Sequence, residues 1–432
     1  MRLNPRLLIC TLSFALVTTS AGPVFAAAKR KQKPAAVATD AKAAKSSTPA
    51  KAQPAKEEQK GPARFSATMS EDVELDAKAD KKRDEQIEQL KRIIPKVQGT
   101  AKADLLFQLA ELWWEKSKFV RHAGVRKWDE AYAAWLEKAN RGEEAGAEPR
   151  LEVFTREGEL YRQEALRKYE EILKEYPAYE RKDEVLFAFA YNKYEIGQKE
   201  EAIEKYNELI KQYPDSRFVP DAYVQMGEHF FNTNQLVKAR TAFDKALATN
   251  NAKIKYFALY KLAWCDYNGG AYEEAVKKFK EVIAHSKAEK GGTGLKNEAL
   301  NDIVISFAQI DAVDEAMEYF KKNTGKANSR RLTAKLAGLF QESGKHESAI
   351  RVFRTLISDD VNDARCPEYQ NAIVTSYEGL RNREMVKKEM KRLVDLYNPN
   401  SPWAKANSAN KNAISAAYDM TENAMRTMVT EY

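Results

Sequence analysis

Cysteine is scarce in this chain of 432 residues, which has three. Cys10 lies in the first apolar segment, and Cys265 and Cys366 are far apart in sequence. Closely spaced cysteines, from which small disulfide-stabilised domains are built, are absent. A bridge between the last two would need their Cα atoms within about 7 Å. The sequence therefore predicts a body held together by its hydrophobic core.

Histidine is equally rare, with four in the chain, and no metal-binding or phosphate-binding motif is complete. His346 precedes Glu347, but residue 350 is isoleucine, so the histidine pair of zinc proteases is missing. The segment KGGTGLK at 290–296 lacks the Gly-Lys-Ser/Thr ending of a phosphate loop. We expect neither a metal nor a cofactor.

The one setting that resembles an active site surrounds Cys265, which lies between a tryptophan and an aspartate and before a Gly-Gly pair. A cysteine nucleophile needs a histidine beside it. The nearest in sequence are His229 and His285, outside this helix. We predict that Cys265 is a small packing residue and that the protein is not an enzyme. A cysteine hydrolase or another cell-wall-associated enzyme is the alternative left open.

Residues 65–432 carry almost no net charge. Residues 1–64 hold 12 Lys and Arg against 3 Asp and Glu, which leaves 59 against 60 in the rest of the chain. The formal charge of +8 therefore comes from the N-terminal part. The body has no basic surface signature, and we expect no nucleic-acid partner.

Long apolar runs are missing as well. The longest, Leu7 to Val17, follows Arg2 and Arg6 and is too short to span a bilayer. With the small residue Ala26 at its end, the segment 1–26 has the pattern of a secretory signal peptide. We expect an exported, periplasmic protein with no transmembrane segment in the mature chain.

Residues 27–70 are predicted to be a disordered tether. Their composition is dominated by alanine, lysine and proline up to residue 64, with too little apolar surface to form a core. The tether is interpreted as a spacer, and contact of its lysines with an anionic envelope surface is the second interpretation. A charged helix is predicted at 71–96, with Ile87, Leu90 and Ile94 on one face.

The remainder of the chain is periodic. Alanine followed four residues later by tyrosine or phenylalanine recurs at intervals of 33 to 41 residues, and such self-similarity indicates a repeat array. The pairs are Ala165/Tyr169, Ala202/Tyr206, Ala239/Phe243, Ala275/Phe279, Ala316/Phe320 and Ala349/Phe353.

These repeats resemble the tetratricopeptide repeat family. The stretch YVQMGEHFFNTNQLVKARTAFDKAL, from 223 to 247, carries both helices of the family pattern, and the Gly-Gly pair after Cys265 fits its turn. The resemblance implies an all-α fold, a right-handed α-solenoid of about seven helix hairpins over 97–432 behind the tether. We expect an insertion at about 120–150, a second helix of the first hairpin at 155–176, and a last helix from about Ser401, which either caps the array or marks a truncated terminus.

In this family, one stripe of each first helix lines the surface that binds ligands. Aromatic residues concentrate on that stripe in the N-terminal and middle hairpins, where large rings with polar tips suit a protein partner. The candidate partner-binding residues are Phe107, Trp114, Phe187, Tyr191, Tyr194, Phe231, Phe257, Tyr260, Trp264 and Tyr267. The alternative is that these rings fill space against the neighbouring hairpin.

We therefore predict a non-catalytic scaffold that binds envelope proteins, as peptide or helix, in an aromatic groove. Behind a signal and tether, the segment DLLFQLAELWWEKSK at 104–118 also looks like the periplasmic tetratricopeptide proteins of gliding-motility machines. That likeness implies a structural subunit of a motility or envelope-spanning complex. The cell-division coordinator family is a less specific neighbour. An adapter that binds cell-wall polymer through the tether is the alternative.

Overall fold

The computed structural model describes residues 66–286 and 293–431, and within these ranges every regular element is helical. The predicted signal peptide and most of the predicted tether lie outside them. No helix in these ranges combines the length and the apolar character needed to cross a lipid bilayer. The prediction of an all-α fold is confirmed.

Seventeen α-helices follow one another in the described residues, with a 3-10 turn at Ile94–Lys96 after the first. They are α1 (Ser66–Ile93), α2 (Gly99–Asn140), α3 (Leu151–Glu175), α4 (Lys182–Glu195), α5 (Lys199–Gln212), α6 (Val219–Asn232), α7 (Leu236–Ala248), α8 (Ala252–Asn268), α9 (Tyr272–Ser286), α10 (Thr293–Gln309), α11 (Val313–Asn323), α12 (Lys326–Glu342), α13 (His346–Asp359), α14 (Cys366–Gly379), α15 (Arg383–Tyr397), α16 (Pro402–Ala406) and α17 (Lys411–Glu431).

From α2 to α15 these helices pair as seven successive hairpins, each packed on the next, which is the predicted solenoid. The repeated alanine–aromatic pairs form its core. All twelve of their side chains are buried, because the alanine lets the two helices approach and the ring fills the space beside it. Gly227 shows the tightness of the fit: a Cβ there would lie 2.6 Å from the Phe243 ring.

The helix at the N-terminus of the array begins earlier than the sequence predicted. It starts at Ser66, so residues 66–70, which were assigned to the tether, are helical. Alanine and methionine in this segment are good helix formers, and helix ends are the part of an element that sequence determines least. Ile87, Leu90 and Ile94 are buried and belong to one cluster with residues of the first hairpin.

The first hairpin is longer than the others. The predicted insertion at 120–150 is largely a continuation of α2, which runs for 42 residues, and the second helix begins at Leu151, not at 155. Two glycines permit this long pairing. A Cβ on Gly124 would lie 2.2 Å from the carbonyl oxygen of Phe154, and one on Gly158 would lie 2.9 Å from that of Ser117.

The last hairpin is followed by two helices, α16 and α17, where the sequence predicted one helix from about Ser401. Helix α17 packs against α14 and α15 and covers this face of the last hairpin. Short α16 precedes it, and Trp403 in α16 donates its indole N–H to the carbonyl of Asp363 over 2.9 Å.

Candidate functional site

The ten candidate aromatic residues lie on α2, α4, α6 and α8, the first helices of the first four hairpins. The structure divides them by what their rings contact. Two are buried in the first hairpin, and the other eight are all partly exposed and differ in the hydrogen bonds and ring contacts that join them to the next hairpin. Their role in partner binding stays a prediction.

Phe107 and Trp114 on α2 are buried in the N-terminal core. The Phe107 ring meets Tyr169 edge-on, with centroids 6.0 Å apart. The guanidinium of Arg162 lies over the Trp114 ring, 5.4 Å from its centroid. Since both rings are already enclosed, they offer little surface to a partner.

Tyr260, Trp264 and Tyr267 on α8 are tied to α10, the first helix of the next hairpin. The Tyr260 hydroxyl and the Trp264 indole N–H both donate to Oδ2 of Asp302, over 2.6 and 3.2 Å. Tyr267 accepts a longer bond of 3.4 Å from Gln309. Burial raises the pKa of Asp302, and the two donated bonds oppose that shift. These contacts match the alternative in which the rings join neighbouring hairpins.

Phe187 and Phe257 are intermediate cases. Phe187 is half-buried and stacks on Phe218 of the next hairpin, with ring centroids 5.2 Å apart. Phe257 is also half-buried, and the Lys261 ammonium lies 5.2 Å from its centroid.

Tyr191, Tyr194 and Phe231 are half-exposed on two adjacent first helices, α4 and α6. Tyr194 contacts the buried His229 edge-on, with centroids 5.9 Å apart, and this contact joins the two helices. The carboxylates of Glu195 and Glu228 are on the same two helices. We call Tyr191, Tyr194, Glu195, Glu228 and Phe231 the α4–α6 junction.

Charges of both signs surround this junction, with Lys199 5.6 Å from the centroid of the Tyr194 ring. Burial raises the pKa of Tyr191, and Glu195 and then Glu115 raise it further. Burial also raises the pKa of Tyr194, with Glu228 and Glu195 as the next causes. Glu228 pairs with Lys261 over 2.8 Å. Glu195 is exposed and makes no hydrogen bond or ion pair with any residue described here.

Two buried polar groups next to the junction lack hydrogen-bond partners among the described residues. They are the Tyr206 hydroxyl and Nδ1 of His229. The equivalent tyrosine of the preceding hairpin, Tyr169, is satisfied: its hydroxyl donates to Glu111 and accepts from Asn192 over 3.0 Å. Unpaired groups of this kind are uncommon in folded proteins.

Cys265 is buried on α8, and burial raises the pKa of its thiol to about 11. A thiol with this pKa is protonated at neutral pH and is a poor nucleophile. The neighbouring Asp266 is also buried and accepts from Lys278 over 2.6 Å and from Arg240. Cys265 and Asp266 are therefore parts of the packed interior, which agrees with the prediction that Cys265 is a small packing residue.

Sequence reasoning missed the charged residues of this face. Asp302 ties two rings to the next hairpin, and Glu195 and Glu228 lie on the same helices as the other rings. All three lie on first helices beside the predicted aromatic positions, so the repeat register could have identified them. No group of three or more His, Cys, Asp or Glu side chains in the described ranges is arranged to hold a metal.

Comparison with protein families agrees with the hairpin geometry. A tetratricopeptide repeat model matches residues 184–216 and 257–286, which cover most of α4 and α8 and the whole of α5 and α9. These repeats build surfaces for protein interaction. No curated protein matches the chain.

Among solved structures, a tetratricopeptide repeat protein from Parabacteroides merdae is similar at 17% identity and a TM-score of 0.34, over 56% of this chain and 98% of that one. The C-terminal part of a repeat protein from Cytophaga hutchinsonii is similar at 14% identity and a TM-score of 0.33, over 69% and 99%. A protein from Pseudomonas aeruginosa named pilF has 17% identity and a TM-score of 0.29, over 53% and 97%. Structural similarity with TM-scores this low does not indicate the function of this chain.

Proposed function

Because this chain is a tetratricopeptide-repeat protein, we propose that it is a non-catalytic scaffold that holds partner proteins on the first helices of its middle hairpins. The half-exposed rings of Tyr191, Tyr194 and Phe231 carry the proposal. Tyr191 and Tyr194 lie on α4 and Phe231 lies on α6 of the next hairpin, and the contact of Tyr194 with His229 joins the two helices, whereas Tyr260 and Trp264 are engaged by Asp302. Aromatic side chains in such a position supply the contact area that interaction surfaces rely on.

The binding experiment removes two of these rings, and because Phe231 packs against the core cluster that contains Phe243 and Leu262, the folding of the variant is checked by circular dichroism. We expect Tyr191→Ser combined with Phe231→Ser to remove the proteins that cross-link to the scaffold in intact source cells. The matched control is Val237→Ser, since Val237 is an apolar side chain that is 81% exposed on the second helix α7. An unchanged set of cross-linked partners in a double variant that remains folded would contradict the proposal.

The cell envelope is the proposed location, and a motility or envelope-spanning complex is the proposed setting. The signal-like pattern of residues 1–26 supports export, and the basic segment behind it supports a spacer between the envelope and the repeats. Deletion of residues 2–26 is expected to leave the protein in the cytoplasmic fraction. Export of the shortened chain would contradict the proposed location.

A second candidate is an adapter that recognises anionic cell-wall polymer. The 12 basic against 3 acidic residues in 1–64 favour it. Deletion of residues 27–64 should then abolish sedimentation with purified cell-wall polymer, while the ring variants should leave it unchanged. Normal sedimentation of the shortened protein would rule out this candidate.

A further inference from the structure

The last described helix, α17, carries a stripe of large apolar side chains that face solvent. Tyr418 is 52% exposed, Met425 45% and Val429 86%. On the adjoining face of α17, Ala417 and Ala424 are buried where the helix packs against α14 and α15. The outer helix of a repeat array ordinarily presents polar side chains to water. An exposed apolar stripe at this position therefore indicates an interaction surface.

A cleft of about 390 Å³ adjoins the stripe, between the end of α15, helix α16 and the first half of α17. Tyr397, Trp403 and Ile414 give the cleft an apolar lining, and Tyr418 belongs both to the cleft and to the stripe. An aliphatic side chain that entered this cleft would leave water for an apolar environment, which is favourable.

The spacing of the apolar side chains along α17 reads the same in both directions. Ile414, Tyr418, Met425 and Val429 are separated by four, seven and four residues, and these intervals keep them on one side of the helix. The midpoint of the set lies near the middle of α17. A two-fold axis at this point would set two copies of α17 antiparallel, with Tyr418 against Met425 of the second copy and Ile414 against Val429.

This arrangement also fills the cleft. Val429 is the most exposed large apolar side chain in the described residues, and the two-fold axis brings it beside Ile414 at the cleft of the second copy. Because the interface is symmetric, the same contact occurs twice, and each copy fills the cleft of the other.

The charges beside the stripe follow the same symmetry. Asp419 and Arg426 are exposed and seven residues apart, so they lie on one flank of α17. The two-fold axis brings this flank against its own equivalent, with Asp419 of each copy facing Arg426 of the other. Glu422 lies close to the axis, where its equivalent approaches. Arg426 of the same helix pairs with Glu422 over 2.6 Å and offsets part of that repulsion.

We propose that α17 is a self-association surface, through which two copies of this chain pair with their α17 helices antiparallel and with Val429 of each copy in the cleft of the other. A partner of another kind would require neither the symmetric spacing nor the opposite charges on one flank. Helix α17 has 21 residues and is about 31 Å long. A single pair of such helices buries less than the roughly 1,600 Å² of a standard interface, so we expect a Kd in the micromolar range.

Sedimentation velocity over a series of concentrations tests the pairing with protein purified from the source cells. We expect a reversible monomer–dimer equilibrium. Tyr418→Ser combined with Val429→Ser should weaken the dimer by about tenfold or more, because apolar contacts are lost from both halves of the interface. The matched control is Val153→Ser with Leu160→Ser, which removes two exposed apolar side chains from α3 and should leave the equilibrium unchanged. A protein that remains monomeric, or equal weakening by the control, would overturn the inference.

An exchange of charges tests the antiparallel arrangement. Asp419→Arg brings like positive charges together at both contacts, and Arg426→Asp brings like negative charges together. Each variant alone should dimerise about fivefold more weakly. An equimolar mixture of the two should recover the affinity of the unmodified protein, since each variant then meets the opposite charge. A mixture that associates no better than its components would reject this arrangement of the two helices.

Self-association and the proposed scaffold function fail separately, because α17 and the α4–α6 junction share no residue. Loss of the dimer in the Tyr418→Ser, Val429→Ser variant, with the cross-linked partner proteins unchanged, supports the inference. If the unmodified protein is monomeric and this variant loses partner proteins instead, the stripe binds another protein and self-association is rejected.

Discussion

The indole N–H of Trp264 on α8 donates to Oδ2 of Asp302 on α10 over 3.2 Å. The same oxygen accepts from the hydroxyl of Tyr260. One carboxylate therefore fixes two rings of α8 against the next hairpin. On α4, no carboxylate in the described part of the chain accepts from the Tyr191 hydroxyl, and the Phe231 ring on α6 has no group to donate; both rings are partly exposed.

Trp264→Phe should lower stability and leave partner binding unchanged. The substitution keeps an aromatic ring but removes the donor to Asp302, and a lost hydrogen bond of this kind costs about 0.5–1.5 kcal/mol. Urea unfolding followed by circular dichroism measures the change. Tyr191→Phe is the control, since it removes a hydroxyl from a half-exposed ring. Partner loss in the Trp264 variant, with stability unchanged, would reverse the roles assigned to the two residues.

Asp302→Asn should flatten the dependence of stability on pH. Burial raises the pKa of Asp302 above its ordinary 3.8, so the folded state holds this proton more tightly than the unfolded state does. The contribution of Asp302 to stability is therefore present at low pH and is lost as pH rises from 3.8 to the folded pKa. Asparagine can still accept from Trp264 but cannot titrate.

Thermal unfolding of both proteins at a series of pH values measures this difference. Glu298 lies in the same field and also has a raised pKa, so part of the slope should persist in the variant. A steeper loss of stability with rising pH in Asp302→Asn would contradict the assigned sign.

Gly227→Ala should destabilise the third hairpin. The added methyl would lie 2.6 to 2.8 Å from three atoms of the Phe243 ring, and overpacking of this kind costs about 1–3 kcal/mol. Gly338→Ala on α12 is the matched control, because its Cβ meets nothing within 4 Å. Because Gly338 lies within a helix, its replacement by alanine should raise the free energy of unfolding by about 0.4–1 kcal/mol. Equal effects of the two substitutions on the urea midpoint would refute the packing argument.

Cys265 should resist thiol reagents in the folded protein at pH 7. It is buried, and burial raises its pKa to about 11. Cys366 is buried with a similarly raised pKa, so both should react with Ellman's reagent only after unfolding. The variants Cys265→Ala and Cys366→Ala assign the signal to each position. Rapid labelling of folded Cys265, with loss of partner binding, would revive the alternative of a cysteine enzyme.

The hairpins could be predicted because their cores follow a local code. Alanine and an aromatic residue four positions later lie on one face of a helix, and the same spacing repeats in every pair. The long first hairpin could not be predicted this way. Its glycines at 124 and 158 become meaningful only when α2 and α3 are placed together, since each glycine faces the backbone of the other helix.

The sequence predicted the candidate site as one stripe of aromatic residues along the first helices. It did not predict the contacts that join some of these residues to the next hairpin. Helical spacing places Tyr191 and Trp264 at the same position of their hairpins, so the sequence treats them alike. Trp264 meets Asp302, which lies on the next first helix, and Tyr191 has no equivalent partner there in the described residues. That difference depends on residues in the following repeat.

The sequence by itself determined the repeat, the turn positions and the buried pairs, because each arises from residues close together in one chain segment. Only the tertiary structure decided which aromatic residues join hairpins and which remain at the surface beside Glu195 and Glu228. The physical reason is that exposure of a ring depends on the acceptors and side chains that the neighbouring hairpin brings to it.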